Sequence, residues 1–290
     1  MKVIVACSNA EGLGSKIAKE GDFELANYST RKFPDGEVYC RIESELQGKE
    51  VIFVQSSHPN PNDALVELLL AADSAKELGA EKLTVVFSYF PYARQDKIFK
   101  GGEALSLRAV SRALQGAGFS RLITIDAHYM SEYGKYDLYG LGAENLSAGK
   151  LLVQHVKEKF GVGSLFVISP DFGASELVAN AIGENDEHGK FKKTRTGDYE
   201  VSMEGELDVK GKDVLVLDDI ISTGGTMKRA IEKAKGSGAS KVFAAATHGV
   251  FGDDAIEKLG KVSDYLVTTD SIVNEKVGVS LAGEIAGVLE

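Results

Sequence analysis

Residues 213–226 read DVLVLDDIISTGGT, and no other stretch restricts so tightly what this chain can fold into. The first five residues make a short apolar run, Asp218 and Asp219 follow, and residues 222–226 form a hydroxyl- and glycine-rich turn that leads into KRAIEKAKGSG, which has helical spacing. The order is strand, loop, helix. A loop at the C-terminal end of a buried strand, opening into a helix, aims unpaired backbone N–H groups and the positive end of the helix dipole at one point, which suits a phosphate. Ser222, Thr223 and Thr226 add hydroxyl donors, and Gly224 and Gly225 let the backbone come close. Asp218 and Asp219 would repel a bare phosphate. They suit the vicinal hydroxyls of a sugar or a hydrated Mg²⁺, or else they are a solvated pair ahead of an ordinary glycine turn.

A chain of 290 residues exceeds the usual single domain, so two domains are expected, and 43% hydrophobic residues can fill two cores. No apolar run is long enough to span a bilayer, and MKVIVACSNAEG turns polar too soon for a secretory signal. Cys7 and Cys40 give neither a disulfide framework nor a metal-site spacing, so a soluble protein of a reducing, cytoplasmic compartment is expected. A formal net charge of −10 argues against nucleic-acid or anionic-membrane partners, which need a basic face. Phosphorylated small molecules remain compatible where basic residues cluster locally. Glycine is abundant (32) and proline scarce (5), which fits many βα turns.

The apolar runs predict strands at residues 2–6, 51–56, 83–89, 121–128, 164–169, 241–249 and 265–270, besides the one at 213–217. Helical spacing recurs at 63–78, 104–115, about 146–160 and 226–236, and from about 254. GLGS, in the first βα turn, is too short and wrongly placed for a dinucleotide fingerprint, and no GxxxxGK[ST] occurs, so any ATP is held without a P-loop. Pro34, Asp35 and Gly36 make a tight turn between two extended segments, which turn chemistry alone explains. Arg94, Lys97 and Lys100 fall in a loop beyond a strand, where open α/β sheets place ligands, and Tyr92 and Phe99 offer flat faces to a base; a solvated basic loop reads the same way. His128 follows a strand end beside Asp126 and is either structural or a ligand contact. Asp171, before a glycine and a helix, is either an oxygen ligand for Mg²⁺ or an N-cap. Residues 183–200 are polar and carry Lys190, Lys192, Lys193 and Arg195, which predicts a mobile, solvated loop.

The apolar strand followed by DDIISTGGT closely resembles the phosphoribosyl diphosphate loop of the type I phosphoribosyltransferase fold. That resemblance implies that Asp218 and Asp219 hold ribose hydroxyls and that Ser222, Thr223, Gly224, Gly225 and Thr226 hold the 5-phosphate. FPDGE at residues 33–37 and PYARQDKIFKGGEALS at residues 91–106 are similar to motifs of ribose-phosphate diphosphokinases, the phosphoribosyl diphosphate synthetases. The resemblance implies ATP contacts from Arg94, Gln95 and Asp96, and adenine contacts from Phe33, Asp35 and Glu37 that reach a neighbouring subunit. It implies that His128 of the DxH motif assists Mg²⁺-ATP, that Asp171 of SPDxG contacts metal or ribose, and that Lys193 and Arg195 are a catalytic K-x-R pair on a mobile loop. THGVF at residues 247–251 also fits, whereas Glu176 stands where many members carry arginine.

Taken together, the resemblance implies two tandem type I phosphoribosyltransferase-like domains, each a mainly parallel sheet flanked by helices. Residues 1–143 would carry the ATP motifs and 144–290 the ribose 5-phosphate loop. The implied reaction gives 5-phosphoribosyl 1-diphosphate and AMP from ATP and ribose 5-phosphate, with Mg²⁺ as cofactor and a homo-oligomer, at least a dimer, as the active unit. An ordinary phosphoribosyltransferase would keep DDIISTGGT but has no use for two domains, FPDGE or ARQDK. A catalytically silent regulatory homologue usually loses catalytic residues, and Lys193, Arg195 and Asp171 are intact.

Overall fold

Short apolar runs, buried on both faces, form parallel strands when the helices between them cover each side of a sheet, and most of this chain is built that way. The computed structural model describes residues 1–130, 132–170, 175–189, 192–195, 201–204, 208–252 and 254–290. Its contacts divide the chain into two compact units, one of Met1–Leu146, Asp270–Val273 and Ser280–Glu290, the other of Ser147–Thr269 and Asn274–Val279.

The first unit runs β1 (Lys2–Ala6), α1 (Glu11–Glu20), β2 (Glu24–Leu25), β3 (Tyr28–Lys32), β4 (Val38–Ile42), β5 (Glu50–Ser56), α2 (Pro61–Glu77), β6 (Lys82–Tyr89), α3 (Ser106–Gly116), β7 (Phe119–Ile125), β8 (Gly134–Leu138) and β9 (Leu141–Leu146). Its main sheet has the order β2-β1-β5-β6-β7-β9-β8, parallel except where β8 returns against β9. β3 and β4 pair apart from it as an antiparallel hairpin. α2 shows how the sequence makes a helix here: Pro61 opens it, Asp63 sits in its first turn, and Ala64, Leu68, Ala71, Ala72 and Ala75 recur on one buried face. The GLGS turn of the sequence lies inside α1, where a Cβ on Gly14 would come within 2.6 Å of the Ala6 Cβ. This glycine lets the helix lie close on β1.

In the second unit come α4 (Gly149–Phe160), β10 (Phe166–Ile168), α5 (Ser175–Ala181), β11 (Glu187–Gly189), β12 (Lys192–Arg195), β13 (Val201–Glu204), β14 (Asp213–Ile221), α6 (Gly225–Gly236), β15 (Lys241–Gly249), α7 (Ala255–Gly260), β16 (Tyr265–Thr269) and β17 (Val277–Val279). The sheet order is β11-β10-β14-β15-β16-β17, parallel throughout. Val214–Leu217 and Val242–Ala246 have no exposed surface, as central strands under two helical layers require.

Three features depart from the sequence reading. Residues 134–146, read as a loop running into a helix, form the β8–β9 hairpin, and α4 starts only at Gly149. Residues 183–200, read as a loop, contain β11, joined to the sheet edge, and β12, which pairs antiparallel with β13. The final helix, α8 (Ala282–Leu289), packs with the first unit rather than the second. Asp270 and Ser271 fasten that return. Asp270 accepts from Lys16 Nζ at 2.8 Å, Ser280 Oγ at 2.7 Å and the Leu281 N–H at 2.8 Å, and the Ser271 carbonyl accepts from both Ser56 Oγ and Ser88 Oγ at 2.8 Å.

Asp186 has a comparable role within the second unit. Its carboxylate accepts from Lys157 Nζ of α4 at 2.8 Å and from the N–H groups of Leu165 at 2.9 Å and Gly183 at 3.0 Å. Burial pushes this carboxyl up, but the Lys157 contact and the two backbone donors outweigh it and hold it below the ordinary aspartate range. A group depressed in the folded state adds stability that is full above its unfolded pKa, about 3.9, and is lost as pH falls through the folded value. Asp186→Asn should therefore cost roughly 2 kcal/mol at pH 7, from one lost ion pair and weakened hydrogen bonds. Urea unfolding should show this gap narrowing below about pH 4; a gap that stays constant with pH would assign the loss to packing instead.

Candidate active site

β14 carries the acidic pair further along than the sequence implied. Its ladder with β15 pairs Asp218 with Ala246, Ile220 with His248 and Ile221 with Gly249, so Asp218 and Asp219 lie within the strand rather than in the loop after it. β15 is nine residues long and supplies partners that far, which is why the ladder continues past Leu217. Both carboxylates are half-buried, Asp218 Oδ1 accepting the Asp219 N–H at 3.0 Å and Asp219 Oδ1 the Ile220 N–H at 2.9 Å.

The turn proper is Ser222, Thr223 and Gly224, and α6 starts at Gly225. Gly224 is the N-cap, with φ +71°, and a Cβ there would lie 3.2 Å from Leu259 Cγ of α7. Both the left-handed backbone and the neighbouring helix demand glycine. No side chain caps α6, so its opening N–H groups face the turn without a side-chain acceptor. The turn's carbonyls, by contrast, are engaged within the protein. Val250 and Phe251 each donate an N–H to Ile221 O at 3.0 Å, Gly252 donates to Ser222 O at 2.9 Å, and Lys258 Nζ reaches Thr223 O at 3.3 Å. The segment after β15, part of the THGVF motif, thus braces the turn through its carbonyls. Arg229, which the sequence reading passed over, donates from Nη2 to Thr226 Oγ1 at 3.5 Å.

In the first unit the candidate residues follow β6 and β7, adjacent parallel strands. Phe90 and Ala93 are buried and anchor the loop after β6, while Arg94 is exposed and Gln95 and Asp96 are half-buried. The loop is braced by its own atoms: Gln95 Nε2 donates to Lys97 O at 3.0 Å, and Glu103 Oε2 accepts the N–H groups of Phe99 at 2.8 Å and Lys100 at 3.0 Å. That leaves Lys97, Lys100 and the Phe99 ring, 75% exposed, turned outward. Beyond β7, His128 is exposed on a segment fixed by buried Asn145, whose Oδ1 accepts the Ala127 N–H at 3.1 Å, and by Asp126, which accepts from Tyr133 Oη at 2.9 Å. Tyr92 (φ +57°) and Asp126 (φ +39°) both hold left-handed backbones just past these strand ends. Non-glycine residues in that region are strained, and such strain concentrates at functional sites.

Phe33, Asp35 and Glu37 sit on the exposed turn of the β3–β4 hairpin, closed by Phe33 N–H to Glu37 O at 2.8 Å. The Arg31 guanidinium lies 4.4 Å from the Phe33 ring centroid and 4.5 Å from that of Tyr39. The base of the hairpin is tied to α2 by Tyr28, which donates to the buried Glu67 at 2.9 Å; Glu67 also accepts from the Ser8 N–H and from Gln55 Nε2, both at 3.0 Å. Burial, then the charge of Glu67, pushes the Cys7 thiol well above its ordinary value, so this cysteine is no nucleophile near neutral pH.

Asp171 lies outside the described residues. For Lys193 and Arg195 the backbone is described, in β12, where they pair with Met203 and Val201. Among the described residues no three His, Cys, Asp or Glu side chains group as a metal site, and no helix is long and apolar enough to cross a membrane.

The sequence model for the N-terminal domain of ribose phosphate pyrophosphokinase matches residues 2–118, and that for the phosphoribosyl transferase domain matches 167–283. A "Ribose-phosphate pyrophosphokinase" of Pyrococcus furiosus is 39% identical over 99% of this chain and 100% of its own length. The chain belongs to the ribose-phosphate pyrophosphokinase family. A relative of the same name from Methanopyrus kandleri is 37% identical, with 99% of this chain and 98% of the relative covered. The crystal structure of phosphoribosylpyrophosphate synthetase from Mycobacterium smegmatis superposes with a TM-score of 0.83 at 28% identity, over 99% of this chain and 97% of that one. The fold expected from the sequence, two phosphoribosyltransferase-like domains with mainly parallel sheets, is therefore the family's fold. The turn residues 33–37 and the loop carrying Arg94–Gln95–Asp96 fall in the first matched region, and the acidic pair and its turn in the second.

Proposed function

We propose that this chain transfers the β,γ-diphosphoryl group of ATP to the anomeric hydroxyl of ribose 5-phosphate, giving 5-phosphoribosyl 1-diphosphate and AMP. The observation that carries this reading is the match of residues 2–118 to a domain specific to ribose phosphate pyrophosphokinases, joined in one chain to a phosphoribosyl transferase domain. An ordinary phosphoribosyltransferase has no place for the first, and nothing favours a silent homologue.

In this reading the sugar's hydroxyls bond Asp218 and Asp219, and its 5-phosphate takes the hydroxyls of Ser222, Thr223 and Thr226 together with the backbone of Gly224 and Gly225. The half-burial of the acidic pair supports this, because a carboxylate partly withdrawn from water bonds a hydroxyl more strongly. ATP lies on Arg94, Gln95 and Asp96, with Phe33, Asp35 and Glu37 of a second subunit at the adenine. Transfer at phosphorus depends on in-line positioning and charge neutralisation rather than on a covalent nucleophile, and Lys193 and Arg195 are assigned to the charge.

A phosphate-borne Mg²⁺ keeps several waters and takes only one or two protein ligands; in this reading the exposed His128 beyond β7 and Asp171 would hold it. Bound there, the ion would neutralise phosphate charge. A cytoplasmic location belongs to the same reading, which the free thiols Cys7 and Cys40 suit.

AMP release with ATP and ribose 5-phosphate tests the function: neither an ordinary transferase nor a silent homologue would release AMP. The acceptor assignment is tested by Asp219→Asn, which should weaken ribose 5-phosphate by about tenfold or more, as for one charge-assisted hydrogen bond, and leave ATP within about twofold. Calorimetry showing lost ATP affinity with ribose 5-phosphate unchanged would reverse the assignment.

A further inference from the structure

A side chain on a helix points toward the N-terminus, so a long residue in the second turn lies over the first. Arg229 does this on α6. Its guanidinium reaches back to Thr226, with Nη2 3.5 Å from Oγ1, and Nη1 lies 4.0 Å from where a Cβ on Gly225 would stand. The residue is exposed, and among the described residues it makes no ion pair, whereas Lys258, the other cation bonded to this turn, is paired with Asp254 at 2.9 Å. Arg229 is thus a cation beside the anion cradle whose one hydrogen bond among the described residues is to one of the cradle's own hydroxyls.

A threonine hydroxyl has one proton to give and two lone pairs to receive with. An arginine N–H can only donate, so its bond to Thr226 Oγ1 occupies a lone pair and leaves the hydroxyl proton to turn elsewhere. A donor hydroxyl that also accepts from a cation is polarised and donates more strongly. We propose that Arg229 is a positioning residue of the phosphate subsite: it fixes Thr226 as a donor to the anion bound by the turn, and so sets the affinity for the acceptor's phosphate without touching the transferred group. The inference rests on the reading that this turn holds the phosphate of ribose 5-phosphate. It adds to the motif a residue outside DDIISTGGT.

A double-mutant cycle read in binding tests it. Arg229→Met keeps the aliphatic stem and, being exposed, should fold as the parent does, which its melting temperature checks. Calorimetry should show the Kd for ribose 5-phosphate raised about fivefold to tenfold, with the Kd for ATP within about twofold, as for loss of a charge-assisted contact at a partly solvated site. In steady state the same change should appear in KM for ribose 5-phosphate, with kcat held within about twofold. Thr226→Val removes the hydroxyl, and in that background Arg229→Met should add less than about twofold, because its target is gone. A full effect of Arg229→Met persisting in Thr226→Val would overturn the proposal, since the arginine would then act on the ligand independently; an unchanged Kd in the single variant would overturn it too. Should the parent bind ribose 5-phosphate yet release no AMP, the proposed reaction fails while the cycle still decides on Arg229. A parent that binds no ribose 5-phosphate sinks both.

Discussion

Lys193→Ala and Arg195→Ala should each lower kcat by roughly 10²-fold or more while moving either KM far less, the pattern expected when one electrostatic contact made mainly in the transition state is removed. The turn proposed to hold the 5-phosphate is preceded by Asp218 and Asp219, and a diphosphoryl group moving past such a site accumulates negative charge that needs cations. Lys193 and Arg195 come from the most basic stretch of that unit, with Lys190 and Lys192 beside them. They lie on β12, which among the described residues pairs with β13 alone, and a two-stranded ribbon of that kind is marginally stable by itself. A ribbon held so lightly is poorly suited to preorganising a ground-state site and well suited to adjusting as charge develops. Steady-state kinetics with both substrates varied provide the measurement. Near-normal kcat with only a raised KM would assign the pair to ground-state binding.

The strand–turn–helix at residues 213–236 was legible in the sequence because its determinants are local. A glycine at a left-handed N-cap, hydroxyls on either side and an apolar run before it all lie within fourteen consecutive residues, and each has its own physical reason. Where the strand ends was less legible, because β14 continues through Asp218 and Asp219 only for as long as β15 offers partners, and a pairing across 28 residues of sequence leaves no mark on either segment. The β8–β9 hairpin was lost for a related reason. Leu138, Leu141, Ala143 and Asn145 are its buried positions, but charges and glycines between them dilute a period of two over strands of five and six residues. The return of α8 to the first unit could not be read at all. It is fixed by Asp270 on Lys16 and by Ser271 on Ser56 and Ser88, contacts between residues more than 180 apart made by polar groups with no local signature. Arg229 did leave a signal, a long cation three residues after a threonine on the same helix face, but its meaning depends on that threonine lying in the first turn of α6, beside the glycine N-cap.

Mixing two inactive variants, one altered at Asp35 and Glu37 and the other at Lys193, should restore part of the activity that both have lost. Phe33, Asp35 and Glu37 ride on an exposed hairpin turn, stiffened by Arg31 packed against the rings of Phe33 and Tyr39 and anchored through Tyr28 to the buried Glu67. Such a construction suits a rigid projection whose polar tip meets something outside its own sheet, and the proposed partner is the adenine in a second subunit's site. If so, each site combines a turn from one chain with Lys193 from another. In a mixed dimer one site then draws its turn from the Lys193 variant and its lysine from the turn variant, and both are intact, whereas the other site carries both defects. Random re-pairing puts about half of the dimers in the mixed form, each with one competent site of two, so recovery to about a quarter of parental activity is the ceiling for an active unit that is a simple dimer. Co-refolding variants with different tags and isolating the doubly tagged species removes the parental dimers and should raise that recovery toward one half. Doubly tagged dimers that remain as inactive as either parent would mean that the turn serves its own chain's site or none.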